Sequence, residues 1–207
     1  NFNDPAVVHA FVHASKVQYD WMQKVGLKPR ELAVGAGMSQ PRGHVFTAQK
    51  VIETMYGYAG KHGAAFRFNM PAKHLVWDAD THRVVGVIAA GKDGKEHAYQ
   101  AKRGVIIATG GFARSPKVLK KFNPYLTNCD VLSASGSTGD GLLMALELGA
   151  DFRDTAFIKA TYGSKPGLTS VTESTTIYYS GAIIVNKAGQ RFVDESQTYM
   201  TLSDAAL

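Results

Sequence analysis

The first sixty residues carry apolar side chains at helical spacing. Asp4 and Pro5 are typical of a helix start, a capping carboxylate followed by proline at the first helical position. The apolar positions that follow recur with a period near 3.6 residues: Val7, Val8, Phe11, Val12, Tyr19 and Met22. Gly26 ends this pattern, and residues 33–43 are rich in glycine and irregular. A second helix is predicted over residues 44–62.

Beyond residue 63 the pattern changes to that of strands. Residues 64–70 predict one strand, and residues 73–77 and 84–89 predict a hairpin. Residues 96–100 follow as the third strand of a small β-meander. Residues 104–109 are apolar without alternation, which is typical of a strand buried on both faces of a parallel sheet.

Two short helices and a second hairpin are predicted further along. One helix runs from Ser115 to residue 122, and the other covers residues 140–148. Residues 181–186 and 191–193 predict two strands joined by a tight turn.

The composition changes near residue 155. From about residue 156 to residue 180, Thr, Ser, Tyr and Gly dominate the sequence. We therefore predict one domain over residues 1–155 and the start of another over residues 156–207.

Length and composition favour an ordinary globular protein. The 207 residues suffice for one sizeable core and part of a second domain. No run approaches the roughly 20 apolar residues that a membrane span requires, so no span is expected. The 21 glycines lie in turns instead of a low-complexity tract, which indicates tight connections and ligand loops.

The two ends of the sequence predict a fragment of a longer protein. The chain starts at Asn1 without an initiator methionine, and residues 201–207 are typical of a helix cut short. We therefore expect it to work with the rest of its own polypeptide. Cys129 is the only cysteine, which excludes an intrachain disulfide and fits a reducing compartment. The expected location is cytoplasmic; a periplasmic or secreted one stays open because the natural start is not visible.

Charge points to a small anionic partner. The formal net charge is +6, but the lysines are scattered and lack interleaved aromatic residues, so no nucleic-acid partner is expected. A mild positive field suits an anionic cofactor or substrate. Among the histidines, His9 and His13 are one helical turn apart, but no third ligand is evident. A surface pair is therefore the default interpretation, and no metal is predicted.

Two glycine turns are the candidate ligand-binding elements of the sequence. Thr109, Gly110 and Gly111 end the apolar segment, and Gly139 with Asp140 opens a helix about thirty residues later. Ligands of open α/β sheets bind beyond the carboxyl ends of strands, and helix starts favour anionic groups. Each turn alone has a plainer interpretation: strand–glycine turns are common, and Asp140 could simply cap its helix. Together, in this order and spacing, they indicate a nucleotide cofactor.

Four ordered blocks resemble one family. Residues 105–112, 138–141, 145–150 and 184–195 are similar to the flavoprotein subunits of the fumarate reductase and succinate dehydrogenase family, which includes urocanate reductases and 3-ketosteroid dehydrogenases. The resemblance implies FAD as cofactor. It also implies an α/β fold, in which a Rossmann-like FAD domain carries an inserted α+β capping domain and the active site lies between the two.

The resemblance assigns flavin-side residues. The positions that would line the flavin site are Ala108, Thr109, Gly110, Gly111, Gly139 and Asp140. Residues 69–72, ending at Ala72, would lie beside the adenine through backbone atoms. The family's phosphate loop, G-x-G-x-x-G, is missing: after Gly35 and Gly37, Gln40 stands where the third glycine is required. The sequence therefore predicts an FAD domain that lacks its phosphate-loop βαβ unit and does not hold FAD tightly alone.

On the substrate side the sequence departs from fumarate reductases. Residues 161–163 are Thr-Tyr-Gly where His-Pro-Thr is expected, and Tyr199 replaces the catalytic arginine. The relay arginine is replaced within residues 178–180, while Glu173 is a candidate for the relay glutamate. A site without guanidinium groups binds a dicarboxylate poorly. The pattern around Tyr199 is closer to the 3-ketosteroid dehydrogenase branch.

These departures predict hydride transfer between FAD and a C=C or CH–CH bond next to a carbonyl, with Tyr199 as general acid or base. The small-molecule substrate and the electron donor or acceptor are not identified. A plainer interpretation makes Tyr199 a packing residue, and Glu195 is interpreted as structural. Two alternatives stay open: a fumarate reductase with arginines supplied from elsewhere, and a degenerate flavin-fold interaction module.

Overall fold

A computed structural model describes residues 3–35, 38–158, 160, 167 and 181–206. The chain divides into two compact units. One consists of Asn1–Phe66 with Ser196–Thr198, and the other of Arg67–Glu195 with Tyr199–Leu207. Within the described residues, no helix has both the length and the apolar character needed to cross a membrane.

The described residues of the first unit form two helices and two short paired strands. Helix α1 spans Pro5–Lys24, as predicted, and the Asp4 carboxylate accepts a hydrogen bond from the N–H of Ala6 at 2.9 Å. Strand β1 (Glu31–Ala33) pairs antiparallel with β2 (Gly43–Val45), and helix α2 spans Ala48–Lys61.

Helix α2 is shorter than predicted. Residues 44 and 45 were expected at its start, but they belong to β2 and pair with β1, and the N–H of Arg30 donates to the Val45 carbonyl at 2.8 Å. Leu27 is buried at 1% exposure. The Trp21 and Tyr58 rings pack edge to face, with their centroids 5.3 Å apart.

The strand predicted at residues 64–70 is wrong. The N–H of Ala64 donates to the Ala59 carbonyl at 3.0 Å and closes the end of α2. The chain then continues without strand structure until β3 begins at Ala72. Local closure of the helix therefore takes the place of the predicted extended pairing.

The predicted meander is confirmed in the second unit. Strands β3 (Ala72–Asp78), β4 (Arg83–Ala90) and β5 (Glu96–Gln100) form an antiparallel sheet in sequence order. The turn after β3 is held by Asp78, whose carboxylate accepts hydrogen bonds from the Thr81 hydroxyl and the Asp80 N–H. These two bonds lower the pKa of the Asp78 carboxyl.

The strand predicted at residues 104–109 is also wrong as a paired strand. The described part of the chain forms no ladder there, and Ile106 is 91% exposed. A strand requires a hydrogen-bonded neighbour, and an apolar sequence alone does not supply one. The described residues thus form a mixed α/β structure with two small antiparallel sheets.

Three helices and a 3₁₀ turn complete the described fold. Helices α3 (Pro116–Phe122), α4 (Asp140–Glu147) and α5 (Tyr199–Ala206) lie where helices were predicted, and a 3₁₀ turn spans Pro124–Asn128. Their buried apolar side chains form the core of this unit: Val118, Leu119, Leu126, Met144 and Leu202.

The predicted hairpin at residues 181–193 is reduced to a single bridge between Val185 and Arg191. The boundary predicted near residue 155 stays a prediction, because most of residues 159–180 lie outside the described part of the chain.

Candidate functional site

The two glycine turns lie side by side. The N–H of Gly139 donates to the Gly111 carbonyl at 3.0 Å, and the N–H of Arg114 donates to the Ser137 carbonyl at 2.9 Å. These two backbone hydrogen bonds join segments that are about thirty residues apart in sequence. The structure therefore brings together the two motifs that the sequence singled out.

Two of the glycines are required by packing within the chain. Gly139 has a φ of 81°, and a Cβ atom there would lie 2.9 Å from the Cβ of Phe112. A Cβ at Gly141 would overlap the side chains of Thr109 and Ile107. The start of α4 thus sits directly against residues 107–112, and the lack of side chains at 139 and 141 is explained without a ligand.

The glycine pair at the end of the apolar segment has more space. A Cβ at Gly111 would meet no atom within 4 Å, and one at Gly110 only the Ser137 hydroxyl at 3.8 Å. Gly110 has a φ of 79°, which few side chains tolerate. Ala108 and Thr109 beside them are exposed. The backbone of this turn can therefore be approached by a ligand.

Asp140 does not cap α4. Gly139 occupies the cap position in a left-handed conformation, and Asp140 is the first helical residue, with an exposed side chain. The capping interpretation of Asp140 is therefore wrong. Asp140 lies at the positive end of the helix dipole, and its two neighbours, Gly139 and Gly141, lie against residues 107–112.

Arg114 was missed by the sequence analysis. Its Nε donates to the Ser133 carbonyl at 2.9 Å and its Nη2 to the Val131 carbonyl at 3.1 Å. The guanidinium thereby fixes the loop that leads into the second glycine turn. A single arginine after a glycine pair gives no sequence signal for this role, because its acceptors are backbone carbonyls about twenty residues away.

Ala72 lies at the first residue of β3, where it pairs with Ala89 of β4. The same strand packs against α4, and His74 approaches Glu147 at 3.6 Å between Nδ1 and Oε2. Asn69, before the strand, has a φ of 56°. The predicted adenine-side segment and Asp140 therefore belong to the same unit.

Glu195 joins two backbone segments. Its Oε1 accepts a hydrogen bond from the N–H of Ile184 at 2.6 Å, and its Oε2 pairs with the guanidinium of Arg191. The Arg191 guanidinium and the Ile184 N–H hold the pKa of the Glu195 carboxyl at about 2, below its ordinary value of 4.5. These contacts agree with the structural role predicted for Glu195.

Tyr199 is the first residue of α5. The other predicted substrate-side positions, residues 161–163, Glu173 and residues 178–180, lie outside the described residues.

A cavity of about 380 Å³ adjoins α5. Its apolar lining includes Leu126, Phe157 and Met200, and its polar lining includes Asn123, Ser203 and Asp204. Within the described part of the chain, the buried Asn123 Oδ1 and Ser203 Oγ have no hydrogen-bond partner. No lysine or arginine is among the described lining residues. Nothing in the sequence pattern indicated this cavity.

Comparison with known proteins identifies the family. The family model described as "FAD binding domain" matches residues 1–207. The chain belongs to this family. It is 32% identical over 214 aligned residues to a fumarate reductase (cytochrome) of Shewanella frigidimarina, covering 100% of this chain and 37% of that protein. It is 38% identical over 107 residues to a 3-oxosteroid 1-dehydrogenase of Mycobacterium tuberculosis, covering 49% of this chain and 18% of that one.

A solved structure shows the same relationship. The 3-ketosteroid-Δ4-(5α)-dehydrogenase of Rhodococcus jostii RHA1, in complex with 4-androstene-3,17-dione, matches with a TM-score of 0.77 and 25% identity. The match covers 96% of this chain and 46% of that one. The chain thus spans less than half the length of each of these relatives.

These findings confirm the family predicted from the sequence and its cofactor, FAD. The described residues fit part of an FAD site. The Gly110–Gly111 backbone faces open space, Thr109 offers a hydroxyl, and Asp140 offers an exposed carboxylate at the start of α4. Both reductase and ketosteroid dehydrogenase relatives match, so the closer likeness to the ketosteroid branch stays a prediction.

Proposed function

We propose that this flavoprotein is an oxidoreductase that transfers hydride between FAD and a C=C or CH–CH bond next to a carbonyl group. The observation that carries the proposal is the family match over residues 1–207. The chain's relatives include a fumarate reductase and a 3-oxosteroid dehydrogenase. When bound, FAD supplies the hydride acceptor or donor. The chain's own residues bind the flavin, orient the substrate and handle the proton.

On the flavin side, the proposal assigns two kinds of contact. Backbone atoms of residues 108–111 pack against the flavin, because Gly110 and Gly111 leave that approach open. The Asp140 carboxylate accepts hydrogen bonds from cofactor hydroxyls, such as those of the ribityl chain. Gly139 shapes the turn, and backbone atoms of residues 69–72, ending at Ala72, contact the adenine.

Asp140 gives a direct test of the flavin site. A hydrogen bond to a charged group contributes about 1.5–3 kcal/mol, so Asp140→Ala is expected to weaken FAD binding about 10- to 100-fold in the intact protein. Fluorescence titration of the apoprotein with FAD measures this. Glu147→Gln, at the other end of the same helix, is the matched control. Equal affinity for the Asp140 variant and the control would contradict the assignment, and an intact protein that cannot be loaded with FAD would contradict the enzyme proposal.

The substrate is proposed to be uncharged at its reacting end. The cavity beside α5 offers apolar walls, the Ser203 hydroxyl as a donor and the Asn123 carbonyl as an acceptor. Its one described charge is the Asp204 carboxylate, which repels a dicarboxylate. These features favour a carbonyl-bearing apolar molecule, and they support the proposed start of a substrate-binding capping domain in residues 156–207.

Tyr199 is proposed to handle the substrate proton. A general acid or base contributes about 10²- to 10⁴-fold to the rate, so Tyr199→Phe is expected to reduce kcat by that range in the intact FAD-loaded enzyme. Because flavin binding does not need the phenol, the flavin content stays unchanged. Tyr99→Phe, on β5, is the control variant. Unchanged turnover in the Tyr199 variant would refute the role.

A second candidate is fumarate reduction, with the required arginines supplied by other parts of the protein. The alignment with the Shewanella fumarate reductase covers the whole of this chain, which favours this second candidate. Assays of the intact enzyme with reduced viologen dye, comparing fumarate with a steroid enone, separate the two. Preferential turnover of the enone supports the first proposal, and preferential turnover of fumarate supports the second.

A further inference from the structure

Two histidines lie one turn apart on the exposed side of α1. His9 and His13 are both exposed, and their ring centroids are 4.1 Å apart with an interplanar angle of 47°. Residues four apart on a helix are neighbours on its surface. The Asp4 carboxylate and Pro5 fix the start of this helix, so the two rings are held on a regular backbone.

The pair borders a surface concavity. Its volume is about 540 Å³, and it is lined by Asn3, Pro5, Val8, His9, Val12 and His13. Val8 and Val12 contribute apolar side chains to the lining, and the Asn3 side chain adds a carbonyl oxygen. No carboxylate is among these lining residues, so the concavity offers nitrogen donors instead of the oxygen-rich set that Mg²⁺ or Ca²⁺ requires.

We propose that His9 and His13 form a bidentate site for a late first-row divalent metal ion. Imidazole nitrogens suit Cu²⁺, Ni²⁺ and Zn²⁺, and the order of affinities places Cu²⁺ first. Two nitrogens at about 2.0–2.1 Å fill two coordination positions. Water, or the Asn3 carbonyl, fills the others. Among the described residues no cluster of three or more metal-ligating side chains occurs, so this is a two-histidine site.

Chelation by two histidines differs measurably from binding by one. Linking two donors raises affinity by about 10²-fold or more when the spacing allows both to bind at once. The spacing, and not the number of histidines, is therefore the variable to test. Copper binding also has a readout that is independent of FAD and of enzyme activity.

The test is titration of the full chain with CuCl₂ by isothermal calorimetry, with electron paramagnetic resonance of the one-to-one complex. The displaced variant His13→Gln/Ala14→His keeps seven histidines but separates the pair by five residues. We expect it to bind the first equivalent about 10²-fold more weakly and to lose the two-nitrogen hyperfine pattern. His9→Gln is expected to behave in the same way.

Circular dichroism without metal checks that both variants keep their helix content. His82→Gln, in the turn between β3 and β4, serves as the matched control and should bind the first Cu²⁺ as tightly as the unaltered chain. Equal affinity in the unaltered chain and the displaced variant, with helix content preserved, would overturn the proposal. So would an unaltered spectrum in His9→Gln.

Discussion

The Glu195 carboxylate stabilises a loop that lacks the hydrogen bonds of a sheet. The predicted hairpin at residues 181–193 keeps a single bridge, between Val185 and Arg191. Glu195 supplements it by accepting from the Ile184 N–H and pairing with Arg191, while only 9% of its side chain is exposed. The Glu195 side chain therefore holds the two segments together where most of the backbone hydrogen bonds of the predicted hairpin are missing.

The low pKa of Glu195 makes this loop sensitive to acid. A carboxyl with a pKa of about 2 in the fold and an ordinary value of 4.5 stabilises the fold fully above pH 4.5. That contribution is lost as the pH falls towards 2. We predict that Glu195→Gln lowers the hydrogen-exchange protection of the Ile184 amide at pH 6, and that the difference from the unaltered chain disappears near pH 2.

Exchange measured by NMR across this pH range checks the prediction. Glu147→Gln, whose carboxylate lies on α4 and does not contact Ile184, is the control and should leave that amide unchanged. A Glu195 variant with the same protection as the unaltered chain at pH 6 would show that the hydrogen bond does not stabilise the loop.

Gly141 tests the packing of α4 against the apolar segment. An added Cβ would overlap the side chains of Thr109 and Ile107, both β-branched, so that the side chains or α4 must shift. Overpacking of this kind costs about 1–3 kcal/mol, so Gly141→Ala is expected to lower the free energy of unfolding by that amount. Gly136→Ala is the control, because a Cβ there meets no atom within 4 Å. Urea unfolding compares the two, and equal stabilities would contradict the close packing.

Single residues also show where sequence reasoning succeeds. The order and spacing of the two glycine motifs indicated one common cofactor site, and the backbone hydrogen bond between Gly139 and Gly111 joins them. The reason given for the glycines holds only in part. Gly139 and Gly141 face protein atoms, while Gly110 and Gly111 face open space. A sequence shows which positions lack a Cβ atom, but it does not show whether protein atoms or open space lie beside them.

At the scale of elements, α1 depends on its first turn. The Asp4 carboxylate accepts from the N–H groups of Ala6 and Val7, which have no partner within the helix. Replacing such a cap by alanine costs about 1 kcal/mol. We predict that Asp4→Ala lowers the stability of the first unit by this amount, whereas Asp4→Asn, which keeps an acceptor, loses less.

Thermal unfolding followed by circular dichroism measures the loss. Asp20→Ala on the same helix is the matched control, since it breaks only an exposed pair with Lys16, and such pairs contribute about 0.3–0.5 kcal/mol. A larger loss at Asp20 than at Asp4 would contradict the prediction.

The elements that were predicted correctly are those fixed by local signals. Helix α1 has a cap, an apolar stripe and a glycine stop, and the β3–β4–β5 meander has short strand-forming segments separated by turn residues. Strand β2 was missed because its pairing with β1 depends on residues ten or more positions away. Residues 64–70 and 104–109 have strand-like composition, but pairing decides whether a strand forms.

At the scale of the whole molecule, the exposure of residues 104–109 does not match their apolar sequence. Ile106 is 91% exposed and Ile107 is 44% exposed, although the sequence there is typical of a buried strand. The chain also spans only 37% of the fumarate reductase that it matches. We predict that in a longer protein of this family both isoleucines are buried against neighbouring residues.

Two neighbouring isoleucines separate this proposal from a simple exposed loop. In the 207-residue chain Ile106→Asp is expected to change the free energy of unfolding by no more than about 0.5 kcal/mol, because the side chain is almost fully exposed. Ile107→Asp is expected to destabilise the same chain, because Ile107 packs where α4 begins, at Gly141.

In a longer protein that contains this chain, the two substitutions should become equally damaging. Burying a carboxylate without a partner costs several kcal/mol. Flavin absorbance of the purified protein reports the outcome, since a destabilised domain is expected to release FAD. If the Ile106 variant kept its full flavin content there, Ile106 would be exposed in the longer protein as well, and the segment would be a surface loop beside the glycine turn.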